Sequence, residues 1–218
     1  MHYKKLNYQY DHSKVIEEIY RNQNQFVEIS ASMAASEGRP FDIVSKELYD
    51  QVKFGSTESN DQTNVQRTIP SWYGFCFTYI SGNNESLIGK NKFRLSKASW
   101  IWRPDINCPY IQKIARDLGY IKLQNVRAMM INPPGFGPVH RDVYPGLGYF
   151  KTHTSITLNI ESGGQPLVAQ FDSKFNELND ECYIFNDDCW HGVGVVTSRR
   201  TQLRFNGTVN LDSLKKYF

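Results

Sequence analysis

Asn125-Val126-Arg127-Ala128-Met129-Met130-Ile131-Asn132-Pro133-Pro134-Gly135-Phe136-Gly137-Pro138-Val139-His140-Arg141-Asp142-Val143 is the stretch that decides the fold. Two short alternating segments, 125–131 and 138–143, flank a Pro-Pro-Gly turn, and alternation bounded by turn residues is the mark of a strand. The same rhythm continues to the C-terminal end of the chain. Further strands are expected at 152–161, 166–171, 174–177, 182–185, 190–196 and 200–209, with Gly146-Leu147-Gly148, Gly163-Gly164 and Thr197-Ser198 as turns. Eight short strands broken at intervals of about ten residues indicate a small all-β barrel or sandwich.

Inside this region His140 and Asp142 are two residues apart. On a strand they project from the same face, roughly 6.6 Å apart along it. His191, in Asp188-Cys189-Trp190-His191-Gly192-Val193, lies 49 residues beyond Asp142 (191 − 142), enough for four or five short strands to bring the chain back if the barrel closes. Two imidazoles and one carboxylate on one face of a metal leave coordination positions open, the arrangement of non-haem Fe(II) oxygen chemistry. The plain alternative is a surface His–Asp pair and a core histidine under Trp190. A His-Arg-Asp triplet also occurs in kinase catalytic loops, but these need Asn five residues past the Asp, where Leu147 stands, and a glycine-rich phosphate loop.

Arg200 follows His191 by nine residues (200 − 191), after the Thr197-Ser198 turn. A guanidinium there is suited to fork onto the far carboxylate of a dicarboxylate cosubstrate. Arg204 shares the face of Arg200 by strand period, whereas Arg199 falls on the other. Read plainly, Arg200 is a solvated charge at the start of a strand.

Upstream, residues 11–29 place Val15, Ile16, Ile19 and Tyr20 at helical spacing behind cap-like residues. Residues 30–64 are loop-like, with a short helix around 43–52. A strand is expected at 72–80 and another at Trp100-Ile101-Trp102-Arg103-Pro104. A helix is expected after Asn107-Cys108-Pro109, carrying Ile111, Ile114, Ala115 and Leu118 until Gly119 ends it. The segments 30–64 and 81–96 carry the least pattern, and loops of that kind commonly contact substrate.

A chain of 218 residues with no internal composition break is expected to form one domain, 1–218, in which 1–124 supply support and substrate loops and 125–210 the metal-bearing core. Net charge is +3 with Lys and Arg scattered, which argues against a nucleic-acid partner. The four cysteines show no C-x-x-C pair and indicate reduced thiols in a cytoplasmic protein. No apolar run approaches the roughly 18 residues of a membrane span, so no membrane partner is expected.

The segment from about 129 to 209 resembles the 2-oxoglutarate- and Fe(II)-dependent oxygenases, and within them the aspartyl/asparaginyl β-hydroxylase-like group. The resemblance is carried by Pro133-Pro134-Gly135 ahead of His140-Arg141-Asp142, by Lys151-Thr152-His153, by Tyr183-Ile184-Phe185-Asn186-Asp187-Asp188-Cys189-Trp190-His191, and by Arg200. It implies a mainly β fold with flanking helices, a double-stranded β-helix of jelly-roll, cupin-like form. It also implies Fe(II) held by His140, Asp142 and His191, with O2 and 2-oxoglutarate as co-reactants and Arg200 on the distal carboxylate of 2-oxoglutarate. Lys151 and His153 would approach its other carboxylate, although the family favours Arg where Lys151 stands. The family's hydroxyl residue on the first barrel strand is replaced near Met129 and Met130, and Gln202 or Arg204 is the expected compensation.

Aromatic and cationic side chains at Trp100, Trp102, Arg103 and Tyr144 are the candidates for substrate contact, with core packing as the alternative for the two tryptophans. The implied activity is hydroxylation of an unactivated C–H bond in an amino acid or peptidyl side chain, with release of succinate and CO2. Two other readings stand beside it: a nucleic-acid or nucleotide oxygenase of the same chemistry, and a cupin-like barrel that binds a ligand without turnover.

Overall fold

The computed structural model describes residues 3–32, 66–80, 100–140, 154–172, 174–185, 189 and 191–218. The chain opens with strand β1 (Tyr3–Lys5), helix α1 (His12–Arg21) and strand β2 (Val27–Ser32). Strands β3 (Gln66–Cys76), β4 (Thr78–Ile80) and β5 (Trp100–Trp102) lead to helix α2 (Pro109–Asp117). Then come the eight strands of the C-terminal half: β6 (Tyr120–Ile131), β7 (Gly137–His140), β8 (Thr154–Ser162), β9 (Leu167–Phe171), β10 (Lys174–Leu178), β11 (Cys182–Phe185), β12 (His191–Val193) and β13 (Arg200–Val209). A short helix, α3 (Leu211–Leu214), follows them.

Those eight strands are dealt into two antiparallel sheets. One runs β11-β8-β13-β6 and the other β10-β9-β12-β7. This is the layout of a double-stranded β-helix, in which the chain winds back and forth between two facing sheets. The larger sheet is extended by β1 beyond β11 and by β3 and β2 beyond β6, giving seven strands, while β4 and β5 form a separate pair.

Two cores hold the layers together. Between the two sheets lie Trp72, Ile131, Leu167, Phe171, Tyr183, Phe185 and Val193. On the other side of the large sheet, Val126, Ala128, Ile156, Leu158, Leu203 and Phe205 pack with Val15 and Ile19 of α1 and with Ile111 and Ile114 of α2. Each fully buried large apolar side chain contributes about 1.5–3 kcal/mol, so this double use of one sheet gives the chain most of its core. The helices are tied to each other by Glu18, whose buried carboxylate accepts the backbone N–H groups of Tyr110 and Ile111, both at 2.8 Å. Those amides begin α2 and have no partner within it. Its N-cap, Cys108, makes no side-chain hydrogen bond there.

The structure corrects the sequence expectations at three points. The helix expected over 11–29 stops at Arg21, where Asn22 caps it and Asn22 Nδ2 donates to the Glu18 carbonyl; the chain then turns and β2 pairs with β3. Apolar spacing had continued into Phe26-Val27-Glu28-Ile29, but β-branched residues beside an open sheet edge pair more favourably than they coil. The strand expected over 72–80 breaks at Phe77, after which Thr78–Ile80 leaves the large sheet to pair with β5. Third, Tyr3–Lys5 forms an edge strand against β11 where no strand was expected. β2 also takes in 30–32 of the segment 30–64 expected to be loop; the rest of that segment, with its expected helix around 43–52, and the segment 81–96 lie outside the described residues. Among the described residues, no helix is long and apolar enough to cross a membrane.

Candidate active site

The β12–β7 pairing brings together two of the residues singled out in the sequence. His191 and His140 are register partners across the antiparallel strands, and His191 is likewise opposite Ala169 of β9. The His191 ring is buried between the sheets and meets the Phe185 ring edge-on at 5.3 Å. Its Nδ1 lies 2.9 Å from the Cys189 carbonyl oxygen. A carbonyl only accepts, so Nδ1 carries a proton, and in the neutral ring Nε2 then keeps its lone pair. A histidine fixed in that tautomer by a backbone carbonyl is arranged as metal-ligating histidines are. Of His140 only the backbone is described, and Asp142, Tyr144, Lys151 and His153 lie outside the described residues.

Arg200 opens β13 between Ile131 of β6 and Ser162 of β8. It is 1% exposed, which removes the reading as a solvated surface charge. Its Nη1 donates to the carbonyl oxygens of Ser162, at 2.7 Å, and Gln165. Among the described residues its Nε and Nη2 are buried with no hydrogen-bond partner. Burial holds its pKa below the usual arginine value; the nearby Tyr183 opposes that shift and Arg204 adds to it. An arginine remains protonated even so, and two inward N–H donors on a buried cation form a socket for an oxyanion. The Gly163-Gly164 turn makes room for it: Gly163 has φ +68° and a Cβ there would stand 2.6 Å from the Arg200 Cβ.

From Arg200 a polar row continues along β13 on the face toward the small sheet. Gln202, Arg204 and Asn206 alternate with Thr201, Leu203 and Phe205, which face the helices. Cross-strand neighbours extend each level: Gln202 pairs with Asn159 and Met129, Arg204 with Thr157 and Arg127, Asn206 with Ser155. Gln202 Nε2 donates to the Tyr183 hydroxyl at 3.2 Å, and the Arg204 guanidinium lies over the Phe185 ring at 5.2 Å. Burial pushes the Tyr183 pKa up, while Arg200 and Arg204 pull it the other way. The Oγ of Ser155 and the Oδ1 atoms of Asn159 and Asn206 are buried without hydrogen-bond partners among the described residues. Buried polar atoms are nearly always paired, so these atoms are open to water or to the polar groups of a ligand.

Arg204 therefore shares the inner face with Arg200, and Arg199 is on the other side, with its guanidinium over the Tyr20 ring. Met129 stands on the inner face opposite Gln202, whose amide donates to the Tyr183 hydroxyl. Three substrate candidates are not brought to this face. Arg103 lies over Phe75 and is engaged with Asp105 and Gln25, while Trp102 packs on the helix-side core. Trp100 is on the same short strand, paired with Ile80. β5 belongs to neither of the two facing sheets. Sequence reasoning missed Tyr183, Asn159, Ser155, Asn206 and Arg127 as lining residues. The available signal was the even-numbered run Arg200, Gln202, Arg204, Asn206, polar at every second position of a strand.

No protein-family model matches the chain, and no curated protein matches it. Among solved structures, a prolyl-4-hydroxylase of Pseudomonas putida overlaps 95% of this chain and 91% of its own at 11% identity and a TM-score of 0.46. The non-heme alpha-ketoglutarate-dependent epimerase SnoN of nogalamycin biosynthesis overlaps 94% and 76% at 10% identity and 0.47. An oxidoreductase of the 2OG-Fe(II) oxygenase family from Burkholderia pseudomallei overlaps 94% and 95% at 12% identity and 0.44. Each is a loose overlap of strand layout, so the chemistry below rests on this chain's own side chains.

Proposed function

We propose that this chain is an Fe(II)- and 2-oxoglutarate-dependent dioxygenase of the aspartyl/asparaginyl β-hydroxylase-like kind, which hydroxylates an unactivated C–H bond of an amino acid or peptidyl side chain. The observation that carries the proposal is the Arg200 guanidinium. It is sealed between the sheets, nine residues past His191, with two N–H donors unpartnered among the described residues. A fully buried cation is costly unless an anion is paired with it, and a dicarboxylate cosubstrate supplies one.

His191 fits a metal by its tautomer, and His140 and Asp142 would complete the ligand set. When bound, Fe(II) with 2-oxoglutarate and O2 supplies the oxidation, releasing succinate and CO2. Arg200 orients the cosubstrate through its distal carboxylate, the Cys189 carbonyl holds the His191 ring, and Phe185 with its apolar neighbours keeps water from the centre. Lys151 and His153 are the candidates for its other carboxylate.

The test is conversion of 2-oxoglutarate to succinate by the full chain with Fe(II) under air. Activity in the wild type and its loss in Asp142→Ala, with the circular dichroism spectrum unchanged, is the expected result. Equal turnover in Asp142→Ala would remove the metal assignment. Binding of 2-oxoglutarate with no succinate formed would leave a ligand-binding barrel in place of an enzyme.

A further inference from the structure

Tyr183 of β11 lies between the sheets, 0% exposed, with its ring packed against those of Tyr3 and Phe185 at 5.8 and 6.0 Å. Across β8 its register partner is Thr157, which pairs in turn with Arg204 of β13. From that level the side chain leans toward Arg200, because its hydroxyl meets Gln202 Nε2 at 3.2 Å, one level closer to the cation. One level is two residues of strand, roughly 6.6 Å.

The groups facing that hydroxyl are of one kind. Gln202 donates to it, and Arg200, Arg204, Gln202 and Thr157 all favour a negative charge there. Burial opposes them and is the larger effect, so the phenol keeps its proton. Among the described residues the buried acid is Glu18, on the helix side of the large sheet, so none of them brings a buried carboxylate to this point.

With Gln202 on its oxygen, the Tyr183 hydroxyl still has its own proton to give. Arg204 is engaged by other groups, whereas Nε and Nη2 of Arg200 have no partner among the described residues. The gap between Arg200 and Tyr183 is thus bordered by N–H donors of a cation on one side and an O–H donor on the other. A carboxylate has two oxygens with about four acceptor positions and can accept from both sides at once, and charge-assisted bonds of that kind are the strong ones.

Resting on the oxygenase reading, we propose that Tyr183 is a cosubstrate-binding residue. Its hydroxyl donates to the distal carboxylate of 2-oxoglutarate while Arg200 forks onto the same group, and Gln202 holds the hydroxyl in place. Strand β11 thereby completes a socket whose cation comes from β13.

The test is calorimetry of the full chain loaded with Mn(II), wild type against Tyr183→Phe, which keeps the ring and removes the hydroxyl. The two ligands are 2-oxoglutarate and 2-oxopentanoate, which has the same carbon chain and no distal carboxylate. Tyr183→Phe should bind 2-oxoglutarate at least about tenfold more weakly, equivalent to about 1.4 kcal/mol, while 2-oxopentanoate treats both proteins alike. Unchanged affinity for 2-oxoglutarate would overturn the proposal. So would an equal loss for both ligands, which is what a merely structural role of the hydroxyl produces. Should the variant fail to fold, carbon NMR of the wild type labelled at tyrosine Cζ decides. A tyrosine signal should shift with 2-oxoglutarate and stay in place with 2-oxopentanoate, and spectra that respond alike to the two would overturn the proposal. Failure of 2-oxoglutarate to bind the wild type would instead overturn the oxygenase reading, and this proposal with it.

Discussion

The Cα of Arg200 lies 3.2 Å from where a side chain on Gly163 would begin. The buried cation and the turn between β8 and β9 are therefore packed against each other with no space to spare, and the turn helps set where the guanidinium points.

Gly163→Ala should disturb both partners. A left-handed backbone costs a non-glycine residue about 1–2 kcal/mol, and the added methyl must push Arg200 aside. At this chain length the unfolding midpoint should fall by about 2–4 °C for each kcal/mol. Affinity for 2-oxoglutarate, read by calorimetry, should fall at least tenfold, or about 1.4 kcal/mol. Unaltered affinity would show that Arg200 holds its place without the turn.

Arg200 itself separates charge from geometry. Arg200→Met removes the cation and should abolish stabilisation by 2-oxoglutarate, which at a hundredfold excess over Kd is worth about 2.7 kcal/mol in the wild type. Arg200→Lys keeps the charge but lacks the planar fork and should weaken binding by roughly tenfold or more. Thermal shift with and without 2-oxoglutarate measures both. A lysine variant equal to wild type would mean that a single point charge is all the socket supplies.

Glu18 tests the support layer apart from the site. Glu18→Ala leaves the N–H groups of Tyr110 and Ile111 without the acceptor that caps α2, in a buried place. Loss of such a cap and stranding of buried donors costs about 1–3 kcal/mol. Denaturant unfolding should show that loss while 2-oxoglutarate affinity stays as in the wild type. A drop in affinity of the same size would show that the helices and the inner face are coupled.

The eight core strands were legible because alternation and turn residues are local properties; the expected 182–185 and 200–209 coincide with β11 and β13. The shared face of Arg200 and Arg204, and the exclusion of Arg199 from it, followed from the period of two. The N-terminal edges were not legible. Tyr3–Lys5 and Val27–Ser32 become strands through pairing with β11 and β3, and a strand of that kind is defined by its neighbour more than by its own residues. Glu18 gave no local sign either, since the amides it caps are 92 and 93 residues away.

By itself the sequence determined the rhythm of the strands, the spacing of His140, Asp142, His191 and Arg200, and the polar alternation of Arg200, Gln202, Arg204 and Asn206. It did not determine which side of the sheet is inside. A polar face ordinarily turns to water and an apolar one to the core, which would send that row outward. Tertiary structure decided otherwise, because α1 and α2 cover the apolar face from outside and the second sheet closes over the polar one. The physical reason is that alternation records only that two faces differ, whereas burial depends on what the rest of the chain lays over each.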